Sequence, residues 1–145
     1  MKPEDPHNLD RFVAAQDPVY PTVVQELKSG HKRTHWMWFV FPQVVGLGRS
    51  PTSQYYAIKC KAEAIAYLEH QVLGKRIREC AEILLQIERK TATQIFGRPD
   101  DKKLQSSMTL FAGIAEGDSP FQQVLDKYYD GKFCQQTLQF LQQSH

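Results

Sequence analysis

A chain of 145 residues fits one domain, and a chain of this size buries roughly 68–70% of its unfolded surface, enough for a single core. Its 41% apolar and 23% charged residues exclude a disordered or fibrous chain. A net charge of +2 is too small to imply nucleic acid, although basic residues gather between Lys28 and Arg33.

No apolar stretch follows Met1-Lys2-Pro3-Glu4, so no signal peptide and no membrane span are expected, and the chain reads as cytoplasmic. Cys60, Cys80 and Cys134 are odd in number and widely spaced. They make no C-x-x-C or Cys/His pattern, which argues against zinc and for reduced thiols. A catalytic cysteine competes with small buried hydrophobes, and the second is the commoner use of free cysteine. Nothing in the chain implies a metal or cofactor.

Residues 1 to 8 are polar and carry proline, and read as a flexible arm; 9 to 145 read as one helical domain. Asn8 is placed to cap a short helix bearing Leu9, Phe12 and Val13. Asp17-Pro18 reads as the cap and first position of a second helix, with Pro21 in its first turn. Tyr20, Val23, Val24 and Leu27 form its stripe, and Gly30 ends it. Thr34 would cap a short helix from His35 to Phe41, ended by Pro42. Strand competes over the aromatic run 36 to 41, but neighbouring segments all read helical and offer no partner strand. Pro42 to Arg49 follows as a loop, where Gly46 and Gly48 permit positive φ or close backbone approach.

Ser50-Pro51 repeats the cap-then-proline start, for a helix carrying Tyr55, Tyr56 and Ile58. Residues 61 to 69 form another, with Ala62, Ile65, Ala66 and Leu68 as its apolar set. A long helix spans about Val72 to Glu88, facing the core with Leu73, Ile77, Cys80, Ala81, Leu84 and Ile87. Thr91 caps a short helix ending in Ile95-Phe96 and closed by Gly97. Asp100 would cap the next, about Asp101 to Ala115, with Leu104, Met108, Phe111 and Ala115 inward and Gly117 after its end. Ser119-Pro120 opens a helix through Tyr129, stopped by Gly131, and a last one from Cys134 carries Leu138 and Leu141. The expected fold is all-α, a single compact multihelical domain of about ten short helices.

Two stretches could carry chemistry. Trp36 and Trp38 stand in a six-residue apolar run, too short for a bilayer and too bulky to leave in water. On a helix the two indoles point in different directions, so at least one belongs to the core. His35 beside them could act as a general base, though a histidine flanked by tryptophan is more often a core-edge residue. In the second stretch Asp100, Lys103 and Ser107 share a rail, and Ser106, Ser107 and Thr109 add hydroxyls. A helix N-terminus with free N–H groups and a lysine can bind an anion. A capped helix with hydroxyls bonded to its own backbone is the alternative.

The segments Phe12-Val13-Ala14-Ala15-Gln16, His35-Trp36-Met37-Trp38-Phe39-Val40-Phe41-Pro42-Gln43 and Gly46-Leu47-Gly48-Arg49-Ser50 occur in that order in the domain of unknown function 1810 family. Tyr56-Ala57-Ile58, the stretch from Tyr67-Leu68 through Leu73-Gly74 to Cys80, Asp100-Asp101 to Lys103-Leu104 and Ser106-Ser107-Met108-Thr109-Leu110-Phe111 extend the match. The chain resembles that family from about Leu9 to Leu141, departing at His70-Gln71, where the family often has His-Pro. The resemblance implies a small, mostly helical, cytosolic protein and brings no catalytic residue with it. The label calpastatin, sometimes given to such proteins, does not fit a chain with 11% aromatic residues and packed-helix periodicity.

Polar residues embedded in these apolar motifs must pair or meet a ligand when buried. A pocket between residues 35 to 50 and the helix after Asp100 is therefore the expected site. His35, Asp101 and Lys103 are its catalytic candidates, and Trp36, Trp38, Gln43, Gly46, Gly48, Ser50, Ser106 and Ser107 its binding candidates. The expected partner is a small anionic, phosphorylated or nucleotide-like ligand of the ADP-ribose type, either bound only or bound and hydrolysed. A non-catalytic ligand sensor or protein-interaction module competes, and Lys28, Lys32, Arg33 and Lys59 lack the aromatic platform a nucleic-acid surface needs.

Overall fold

The computed structural model describes residues 4–143, which fold into ten helices with no β-strand among them. In chain order these are α1 (Asp10–Gln16), α2 (Tyr20–Ser29), α3 (Met37–Val40), α4 (Pro51–Tyr55) and α5 (Lys61–Glu69). They continue with α6 (Leu73–Gln86), α7 (Ala92–Phe96), α8 (Asp100–Ile114), α9 (Pro120–Tyr129) and α10 (Gln135–Gln143). Residues 4 to 8 of the expected arm lie in the described part, and 1 to 3 lie outside it.

Local capping chemistry sets several boundaries as the sequence predicts. Ser50 and Ser119 hydroxyls accept from the backbone N–H groups of Ser53 and Gln122, each followed by proline in the first turn. Thr91 and Gln94 form a reciprocal capping box at α7. Gly30 ends α2 with φ of 73°.

Other boundaries differ, each for a tertiary reason. The Asp5 carboxylate, not Asn8, accepts from the N–H groups of Leu9 and Asp10 at 2.7 and 2.9 Å. α2 begins at Tyr20 rather than Pro18, and its cap position is Val19. Thr34 does not cap α3, because its hydroxyl donates to Glu26 Oε2 at 2.7 Å; one helical turn, Met37–Val40, remains. Ile58 lies outside α4 and makes an isolated parallel bridge with Val44. Asp100 is the first residue of α8 rather than its cap. α5 is rotated from the expected face: Ala62 and Ile65 are exposed, while Glu63, Ala64, Tyr67 and Leu68 are buried. The cause is Arg11, whose guanidinium meets Glu63 Oε2 at 2.6 Å and turns that edge inward.

α8 is the central helix, packed against α5, α7, α9 and α10. Leu104, Met108, Leu110 and Phe111 are fully buried on it, as a helix surrounded on most sides requires. Ser106 and Thr109 donate back to the carbonyls of Lys102 and Gln105, so those hydroxyls enter the interior already paired. α6 packs on α2, α5 and α9, and Lys127 of α9 caps its C-terminal end, donating to Leu84 O, Leu85 O and Ile87 O. The first segment is tied down by Arg11, which also donates to the carbonyls of His7, Asn8, Tyr55 and Ala57. A guanidinium buried with this many acceptors is a structural clamp.

Candidate functional site

Trp36 is buried at 1% exposure and its indole Nε1 donates to Glu26 Oε1 at 2.9 Å. Glu26 also accepts from the N–H groups of Arg33 and Thr34 and from the Thr34 hydroxyl. Burial alone would raise its carboxyl, but these donors outweigh it and hold the group down at about 2. The carboxylate thus fixes the segment 33 to 36 and, through it, the position of both tryptophans. Glu26 is the residue that sequence patterning missed. Its signal was a charge three residues after Val23, inside the apolar face of α2.

Around the tryptophans, cations and rings alternate. Lys32 Nζ stands 5.1 Å from the Trp36 ring centroid, donates to Thr34 O at 2.7 Å and meets Asp100 Oδ2 at 2.9 Å. Asp100 Oδ1 lies 3.5 Å from Lys103 Nζ, and that ammonium sits 5.5 Å from the Trp38 ring centroid. The His35 ring follows at 6.5 Å from Trp38, tilted by 32°. Trp38 is half-buried and His35 exposed, so this end of the series is open to solvent.

A small cleft adjoins Trp38, lined by Gln43, Val44, Gly48, Ser53 and Tyr56. Its volume, about 10 Å³, leaves room for about one water. Gly48 is here because a Cβ would run into the Ser53 side chain, and the Ser50 and Ser53 hydroxyls meet at 2.9 Å. Gly46 faces open space with φ of +97° and belongs to the turn rather than the cleft.

The structure therefore brings His35, Trp38 and Lys103 together, with Gln43 and Gly48 lining the cleft and Ser50 bonded to its wall. It separates Asp101 and Ser106 from them. The Asp101 carboxylate accepts from the Thr93 hydroxyl at 2.6 Å and the Lys102 N–H at 2.9 Å, and its carbonyl accepts from Tyr129. A carboxylate so engaged between α7 and α8 is a tertiary tie and is not aimed at Trp38. Ser106 donates toward Lys102 O and Cys134 Sγ, at the α10 end. The free helix N–H groups expected for an anion are also taken: Asp101 N donates to Gly97 O, and Lys102 N and Lys103 N to Pro99 O. Ser107, four residues beyond Lys103, is fully buried with no partner for its hydroxyl.

Larger cavities lie elsewhere. One of about 390 Å³ opens between α5, α6 and the start of α9, beside Arg78, Glu69 and Asp118. A groove of two adjoining hollows, about 570 and 490 Å³, runs between α2 and α6 over Lys28, Ile83 and Gln86. Long-range helix packing makes both, and no local motif announces them. Among the described residues no group of three His, Cys, Asp or Glu is placed to hold a metal ion, and no helix is long and apolar enough to cross a membrane.

With the Trp36–Trp38 segment and α8 set side by side, the sequence resemblance can be tested over the whole chain. A family described as protein of unknown function (DUF1810) matches residues 6–141. The chain belongs to this family. A solved structure, that of the conserved hypothetical protein Rv1873 from Mycobacterium tuberculosis, is similar at 50% sequence identity. The likeness covers 95% of this chain and 99% of that one, with a TM-score of 0.93, so the family's helical fold is shared along its length. No curated protein matches.

Proposed function

We propose that the chain binds a small phosphorylated, nucleotide-like ligand on the Trp38 face. The observation that carries this is the half-buried Trp38 indole with the Lys103 ammonium 5.5 Å from its centroid and an exposed imidazole beside it. An indole open to solvent offers a stacking surface to a base, and a neighbouring ammonium offers charge to a phosphate. The adjoining cleft admits only a water-sized group, so the ligand lies across the surface rather than inside it. Asp100 is held by two lysines and Asp101 by Thr93, so neither carboxylate at this end of α8 is free for acid or base work. Binding without hydrolysis is the form we favour.

The test is titration of the full chain with AMP, ADP, ADP-ribose and inorganic phosphate, followed by calorimetry and tryptophan fluorescence. A saturable signal for the nucleotides, weakened roughly tenfold by Lys103→Met, corresponds to about 1.4 kcal/mol and would support the site. Equal affinity in wild type and Lys103→Met, or no saturation by any nucleotide, would remove it. Chromatography of the recovered nucleotide reports cleavage, and intact ligand is expected. A protein-interaction surface is the second reading, favoured by Val45 and Tyr55, which are 48% and 54% exposed next to cleft residues Val44 and Tyr56. It gains if nucleotides fail.

A further inference from the structure

The small net charge conceals a segregation. Residues 26–35 and 88–103 together hold eight Lys and Arg against four Asp and Glu, and two of those four, Glu26 and Asp101, are buried. With a chain total of +2, these two stretches carry +4 and the remaining residues −2. Far apart in sequence, the two are held side by side by the fold. Lys32 N donates to Ile95 O at 2.7 Å, Lys90 Nζ donates to Gly30 O at 3.0 Å, and Lys32 Nζ meets Asp100 Oδ2 at 2.9 Å.

Two hollows lie along this basic edge, and Ser29 lines both. The larger, about 490 Å³, has Lys28 and Lys90 on its walls, and the smaller, about 160 Å³, has Arg33. All three cations are exposed, and among the described residues none of them is in an ion pair. An anion that meets them therefore displaces no carboxylate. Glu88 also lines the larger hollow, leaving two cations against one anion there. Toward α6 the adjoining hollow brings in Glu79 and Glu82, which would repel a phosphate, so the basic edge ends at Lys28. At its other end stands the Trp38 face, joined to it through Asp100, the carboxylate that Lys32 and Lys103 share. The aromatic platform that these lysines lack in the sequence is thus supplied by the fold.

An open indole beside a line of unpaired cations matches a single nucleic-acid strand, whose bases stack on rings and whose phosphates follow positive charge. A duplex keeps its base faces stacked, so it can use the cations but not the indole. We propose that the chain binds a single-stranded nucleic acid: one base stacks on Trp38, and the phosphates beyond it run past Lys103 and Arg33 to Lys28 and Lys90. This rests on the nucleotide reading of the Trp38 face and extends it. A mononucleotide on Trp38 meets Lys103 alone, whereas a strand also meets the far cations.

The experiment is fluorescence anisotropy of labelled uridine and deoxythymidine strands of about twelve nucleotides with the full chain, over a series of salt concentrations. AMP, polyglutamate and a duplex of the same length serve as competitors. The strands should bind roughly tenfold or more tighter than AMP, bind tighter than the duplex, and resist polyglutamate. The logarithm of their affinity should fall against the logarithm of salt with a slope of about −2 to −3, from four phosphate contacts at about −0.7 each. Lys28→Gln and Lys90→Gln, both at exposed positions, should each weaken strand binding severalfold and flatten that slope by about 0.7, with AMP affinity unchanged. Strands that bind no tighter than AMP would overturn the proposal and leave the mononucleotide site standing. A duplex or polyglutamate binding as tightly as the strands would overturn it too, because charge alone would then account for the affinity. So would a slope indifferent to both substitutions. Strand binding that responds to Lys28→Gln while AMP fails to bind would retire the mononucleotide reading alone.

Discussion

Replacing Glu26 by Gln tests whether one buried carboxylate holds the tryptophan segment in place. The side chain keeps its shape, and one oxygen can still accept from Arg33 N, Thr34 N and Trp36 Nε1. What it loses is the charge that strengthens four hydrogen bonds. The sign is set by the carboxyl being held down at about 2 against an ordinary 4.5. The group therefore contributes stability that is complete above about pH 5 and disappears as pH falls toward 2. The full shift would be worth about 3 kcal/mol, and because Glu26 also edges a surface hollow with Arg33, screening reduces it to about 1–3 kcal/mol. Urea unfolding of both proteins at pH 7, 5, 4 and 3, followed by circular dichroism, measures this. Wild type should lose roughly half of that amount more than Glu26→Gln between pH 5 and 3, and the rest below pH 3, where the two converge. Parallel pH profiles would refute the argument, because the donors would then be indifferent to the charge.

Arg11→Met removes the clamp between α1, the 55 to 57 segment and α5 and leaves the buried Glu63 carboxylate short of its cation, so unfolding free energy should fall by about 3–5 kcal/mol in a urea titration. Gly74→Ala sets two effects against each other. Alanine gains about 1 kcal/mol of helix propensity, but its Cβ would run into the Leu68 carbonyl, a backbone atom that cannot step aside; a net loss of about 1–3 kcal/mol is expected on thermal unfolding. Lys127→Met removes the side-chain donor from the Leu85 and Ile87 carbonyls, while Leu84 O keeps the Tyr128 hydroxyl, and hydrogen exchange of the amides around Leu84 to Ile87 should quicken while overall stability falls by only about 1 kcal/mol, the lysine being exposed. Asp100→Asn should tighten phosphate-bearing ligands if they use Lys103, and calorimetry showing weaker binding would count against the Trp38 site.

Helix starts were legible where a hydroxyl, a proline and a short-range N–H bond decide them, as at Ser50-Pro51 and Ser119-Pro120. The inward face of α8 was legible because Leu104, Met108 and Phe111 repeat at helical spacing and all are fully buried. Periodicity failed where a charged residue belongs inside. Glu63 and Arg11 are 52 residues apart, and nothing local tells the carboxylate that a guanidinium will meet it; apolar spacing alone points Ala62 and Ile65 inward, and both are exposed. Glu26 failed in the same way, since its partners include an indole ten residues on. At the site, the closeness of Lys103 to Trp38 followed from setting the rail of α8 against the 35 to 50 stretch. The roles of Asp101 and Ser106 did not, because α7 and α10 claim them from the other side.

The two lysines around Asp100 are not equivalent, and the difference bears on which can serve a ligand. Lys32 meets the carboxylate at 2.9 Å, donates also to Thr34 O, and its side chain is 7% exposed. Lys103 stands at 3.5 Å from the other oxygen, and its side chain is 23% exposed. A contact at the longer distance is weak as a hydrogen bond, and a more exposed ion pair is worth less. Asp100 is thus committed to Lys32, which locks the start of α8 to the Trp36 segment, while Lys103 is the partner that an incoming anion could draw away. One carboxylate between two ammoniums leaves one positive charge uncompensated beside an open indole. That surplus, rather than a deep cavity, is what the Trp38 face has to offer.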